Sequence, residues 1–119
     1  MIHISKQNIR YTIISNEQTH TGKRSSIFNS ETITYKENEE TLVKFNIKKE
    51  LLERENNDIL IKYDFKKKEA SIYLKELNNY VYPELIIKEK TINKDKIDIL
   101  FNIEDNTINY KIEVLKWIF

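Results

Sequence analysis

The sequence predicts an all-β fold: an antiparallel up-and-down meander of eight or nine strands, one domain over residues 1–119, closing into a barrel. Three observations predict it. Residues 97–103 and 108–114 alternate apolar and polar side chains about Glu104, Asp105, Asn106 and Thr107, setting Ile103 against Ile108, Phe101 against Tyr110, Ile99 against Ile112 and Ile97 against Val114. The same alternation recurs along almost the whole chain, and no segment has the periodicity of an amphipathic helix of ordinary length. A meander this long leaves two adhesive edges unless it curls onto itself, which is the reason for expecting closure.

Taken in order, residues 8–15 carry Ile9, Tyr11 and Ile13 on one parity and read as a first strand. Residues 17–26 are polar and hold Gly22, the only glycine, so they read as a turn or mobile loop. Residues 27–36 resume the alternation with Ile27, Ile33 and Tyr35, and residues 37–40 form a charged turn. Residues 41–48 then place Val43 opposite Tyr35 and Phe45 opposite Ile33. Residues 49–57 lack alternation and read as a helical turn or an extension of the strand, with a loop holding at most one helical turn favoured.

Ile59, Ile61, Tyr63 and Phe65 share one face, and after the turn at residues 66–69 the return strand sets Ala70 against Phe65, Ile72 against Tyr63 and Leu74 against Ile61. The pattern lapses over residues 77–82. Pro83 cannot donate to a ladder and belongs before or at the first residue of the next strand, residues 85–91. With one Gly and one Pro, the turns fall to Asn, Asp, Lys and Glu.

Composition narrows the function classes. The chain has no cysteine, which excludes thiol catalysis and Cys-ligated zinc and points to a reducing cytoplasm. The start of the chain lacks a basic region followed by an apolar run, and no stretch approaches the roughly 20 apolar residues that cross a bilayer, so a soluble, unprocessed protein is expected. Lys and Arg number 20 against 19 Asp and Glu, a formal charge of +1, which supplies no field to draw in nucleic acid or membrane.

No motif announces chemistry. His3 and His20 stand far apart without carboxylates at ligand spacing, so no metal is expected. A single Gly rules out a glycine-rich phosphate loop, and the serines lack a nucleophile elbow. The carboxylates cluster in charged turns, and nothing selects one pair as an acid and base. Tyr63 and Phe65 are interleaved with lysines, as in base-stacking surfaces, but they share parity with Ile59 and Ile61 and read as a buried face. Trp117, Ile118 and Phe119 read as an end of the core or an interface.

Residues 30–36 with 42–45, residues 82–91 and residues 97–103 resemble the YwiB-like family of small bacterial proteins, the second stretch most specifically through its aromatic, turn residue, strand and threonine. The family usually has glycines where this chain has Glu31 and Pro83. The resemblance implies a calycin-type, lipocalin-like barrel and brings no catalytic or binding residues and no cofactor. A barrel of about eight strands is just wide enough to hold a small ligand. The expectation is therefore a non-enzymatic protein binding a small apolar or amphipathic ligand, with Tyr35, Phe45, Tyr63, Phe101 and Tyr110 as candidate lining residues. The alternative is an assembly module using a strand edge or the apolar C-terminal residues.

Overall fold

The computed structural model describes residues 4–115, and these form eleven strands: β1 (Ile4–Ser15), β2 (Gln18–Asn29), β3 (Thr32–Lys36), β4 (Leu42–Asn46), β5 (Leu51–Glu55), β6 (Ile59–Asp64), β7 (Glu69–Leu74), β8 (Asn79–Val81), β9 (Leu85–Ile92), β10 (Lys96–Ile103) and β11 (Asn106–Val114). Every pairing is antiparallel, in the order β8-β7-β6-β5-β4-β3-β2-β1-β11-β10-β9. The meander is as expected, with β1 paired to β11. The two ends of the sheet, β8 and β9, do not pair, and residues 82–84 tie them covalently. The sheet is thus a curled half-barrel of eleven strands, which corrects the expected eight or nine strands and their hydrogen-bonded closure. His3, Trp117, Ile118 and Phe119 lie outside the described residues.

Two segments expected as loops are strands, and for one reason. Residues 17–26 belong mostly to β2, whose inward positions opposite Ile9 and Tyr11 are Arg24 and Gly22. Residues 49–57 contain β5, where Leu52 and Arg54 share the inward face. Polar and small residues at inward positions hide a period of two. The expected strand over residues 27–36 is divided by a turn at Ser30 and Glu31, and residues 77–82 supply the short β8.

Tyr35 pairs with Val43 and Ile33 with Phe45, as the alternation predicts. The β10–β11 hairpin is tighter than expected. Glu104 and Asp105 alone make the turn, so Ile103 pairs with Asn106, Phe101 with Ile108, Ile99 with Tyr110 and Ile97 with Ile112. The β6–β7 ladder is shifted likewise, pairing Tyr63 with Ala70 and Ile61 with Ile72. A shift of two keeps every side chain on its expected face.

The turns are built without glycine. Asn16 (φ 51°) and Glu17 (φ 65°) both adopt the left-handed conformation, the two-residue turn that matches strand twist. Glu104 adopts it as well, at φ 51°. Elsewhere a side-chain oxygen closes the turn: Oδ1 of Asn38, Asn56, Asp64 and Asn93 each accepts two backbone N–H groups just ahead of it, and Asn46 accepts one.

Alternate residues of the strands fill one continuous core, in which Ile9, Val43, Phe45, Phe65, Ile99 and Phe101 are fully buried. Aromatic contacts join parts of the sheet that no ladder joins. Phe101 of β10 meets the rings of Phe65 and Tyr63 edge-on, with centroids 5.0 and 5.3 Å apart. At the same end, Lys90 Nζ lies 2.6 Å from Glu50 Oε1, tying β9 to the β4–β5 turn.

Candidate functional site

Two places depart from the apolar packing, one inside the curled sheet and one lined mostly from its outer face. The first is a polar cluster at the β3–β4 turn. Glu37 follows Tyr35 on the inward parity of β3, and its side chain is 5% exposed. Arg54 reaches it from β5, donating from Nη2 to Oε2 at 2.7 Å and from Nε to Oε1 at 3.1 Å. Arg24 of β2 donates from Nε and Nη2 to the Glu37 carbonyl at 3.0 and 2.8 Å, and its guanidinium lies 5.4 Å from the centre of the Tyr11 ring. Gly22 makes this stacking possible, since a Cβ there would stand 2.9 Å from both Arg24 Nη1 and Tyr11 Cε1. Tyr11 stacks on Tyr35 at 5.8 Å, and the Tyr35 and Tyr110 hydroxyls are hydrogen-bonded to each other.

Burial pushes the Tyr110 and Tyr35 phenols well above their ordinary range, and the Tyr63 phenol above it as well. Burial alone would lower the pKa of Arg54, but the hydrogen bond and charge of Glu37 outweigh it and raise it. The cluster therefore holds its phenols neutral at neutral pH. Its arrangement braces β2, β3, β5 and β11 against one another.

The phenol pair makes a testable case of coupled hydrogen bonding. Tyr35→Phe or Tyr110→Phe alone strands a buried hydroxyl and is expected to cost about 1–3 kcal/mol, while the double variant costs less than the sum. Chemical denaturation of the four proteins measures this, and simple additivity would contradict it. The raised phenol pKa values also fix a sign. The unfolded chain loses these protons near pH 10 and the folded protein holds them longer, so stability is intact below pH 10 and falls as the pH rises above it.

The five residues expected to line a cavity all face inward. Tyr35 and Tyr110 are brought together in the polar cluster, and Tyr63 and Phe101 in the aromatic cluster with Phe65. Phe45 stands apart from both, packed between Ile33 and Leu52 of the neighbouring strands. The described cavities are lined by other residues.

The second break is the seam where β8 leaves β7. A groove of about 810 Å³, the largest of the described cavities, runs along it and is lined by Lys62, Asp64, Glu69, Ala70, Ser71 and Tyr82, among others. Its origin is legible in the backbone. Lys75 N–H donates to the Asp58 carbonyl in the β6–β7 register, so the odd-numbered residues of β7 bond to β6, and Asn79–Leu74 and Val81–Ile72 are the hydrogen-bonded pairs of the β7–β8 ladder. The next such pair in register is residue 83 with Ala70. Pro83 has no N–H to give, and the chain leaves β7 for β10, where the Glu84 carbonyl accepts the Glu104 N–H at 3.0 Å. Pro83 thus stands two residues before β9, where the sequence reading put it. Tyr82, 72% exposed, is one wall of the groove and stacks on Tyr80 at 6.0 Å, which in turn meets Tyr73 at 4.7 Å.

Among the described residues, no group of three or more His, Cys, Asp or Glu is placed to hold a metal ion, and no helix is long and apolar enough to cross a membrane. Sequence reasoning missed Glu37, Arg54 and Arg24. The available signal was parity, since Arg54 shares a face with Leu52, and Arg24 with Phe28. Comparison with known protein families, with curated proteins and with solved structures finds no match to this chain.

Proposed function

We propose that the protein is a non-enzymatic, calycin-like binding module of the YwiB-like kind, acting in a bacterial cytoplasm, that takes a small amphipathic ligand in the seam groove. The observation that carries this reading is the groove itself, about 810 Å³ in volume, a size ordinary for ligand sites. Its lining pairs apolar surface from Leu51, Ala70, Pro83 and the Tyr82 ring with charges from Lys62, Asp64 and Glu69. The interior supports the seam as the site, because the inward aromatics fill it and contact one another.

The test is binding of anilinonaphthalene sulfonate, an amphipathic probe whose fluorescence rises in apolar surroundings. The folded protein is expected to bind it saturably, and Ser71→Trp, which fills the groove from its wall, abolishes the signal without loss of thermal stability. Equal probe binding by Ser71→Trp contradicts the reading.

A second reading, assembly through a strand edge, is favoured by one observation. Leu77, Tyr80, Val81 and Tyr82 lie exposed on or beside the edge strand β8. A sedimentation measurement showing a dimer that Tyr80→Lys dissociates would favour this second reading.

A further inference from the structure

We infer that the seam groove docks an extended peptide, which adds a short strand to β7 where Pro83 cannot and places a basic side chain between Glu69 and Glu84. This rests on the seam being the binding site and names the class of ligand. The first ground is the backbone. In β7 the N–H and C=O groups of Ile72 and Leu74 bond to β8, and those of Ala70 point to the same side by the alternation of an antiparallel ladder. β8 ends at Val81, before it reaches Ala70, and among the described residues no turn or loop backbone bonds to either Ala70 group. Groups that face such an open strand position carry a cost that an incoming strand relieves.

The chain itself cannot relieve it. Residue 83 is the position whose N–H would meet Ala70, and it is proline. The following residue, Glu84, falls opposite Glu69 in the same register, and like charges facing each other across a ladder repel. Neither carboxylate forms an ion pair among the described residues. A peptide with an ordinary residue opposite Ala70 and Lys or Arg next in line reverses both features. It supplies the missing donor and sets a cation between two carboxylates. The Tyr82 ring and Leu85 offer apolar contact on the opposite wall.

The probe is a synthetic tetrapeptide with the sequence of residues 83–86, which starts beyond the end of β8, alanine replacing Pro83 and lysine replacing Glu84, acetylated and amidated at its ends. It is titrated into the full-length, isotope-labelled protein and followed by amide resonances and hydrogen exchange. Saturable shifts are expected at Ala70, Ser71 and Tyr82, with exchange of the Ala70 amide slowed about tenfold or more, the equivalent of one ordinary backbone hydrogen bond. N-methylation of the peptide at its alanine removes the donor and is expected to weaken binding about tenfold. Binding that leaves Ala70 exchange unchanged, or that tolerates N-methylation, overturns strand addition. Binding of anilinonaphthalene sulfonate without binding of the peptide overturns the peptide while sparing the groove. Failure of both probes removes the groove reading as well.

Discussion

Phe101→Ala lowers the stability of the protein by about 3–5 kcal/mol, among the largest expected effects of a single truncation in the core. Phe101 is fully buried, and its ring packs edge-on against Phe65 and Tyr63. Truncation forfeits the transfer energy of a phenyl group and leaves a cavity that strand backbones cannot collapse to fill. The position also matters for shape. β10 and β6 share no ladder, so this cluster is one of the few ties between the two halves of the curled sheet. A domain of this size has roughly 5–15 kcal/mol in total, so the variant stands close to the unfolding threshold. Urea denaturation measures it as a fall in midpoint at unchanged slope. Phe101→Leu, which keeps most of the volume, costs about 1–2 kcal/mol. A cost below about 1 kcal/mol for Phe101→Ala would show that the cluster is not a structural tie.

Arg54→Met costs about 3 kcal/mol at neutral pH, at the lower end of the range for breaking a buried pair. The substitution leaves the Glu37 carboxylate, 5% exposed, without its cation. Arg54 itself is 39% exposed at its side chain, so water reaches the site and moderates the loss. The double variant Glu37→Gln with Arg54→Met recovers most of the stability, because replacing both partners removes the uncompensated charge. Denaturation of the four proteins at neutral pH closes the cycle. Additive losses would contradict a buried ion pair.

Much of the fold was legible in the alternation. Ile33, Tyr35, Val43 and Phe45 pair as the pattern predicts, and Leu85 opens a strand two residues after Pro83. The hairpins at Glu104 and at residues 65–68 were displaced by two residues while every side chain kept its face. Period-two patterning fixes parity, but register depends on the turn, and Glu104 at φ 51° is a left-handed residue that no glycine announces. Of the groove, the sequence offered Pro83 as a break in a ladder. It could not show that residue 83 falls opposite Ala70, because that register belongs to β7 and β8 together.

The sequence by itself determined the class of structure: apolar residues at alternate positions, closely spaced polar turns and one proline leave an antiparallel meander as the way to bury them. Only the tertiary structure decided the two features on which function turns. Arg24, Arg54 and Glu37 are inward residues that a local reading assigns to loops, and they are tolerable inside because partners 13 and 17 residues away satisfy them. The seam exists because a proline falls where the curled sheet needs a donor. Both are pairings between distant segments, and the free energy of burying a polar group or leaving one unpaired is set by what arrives opposite it.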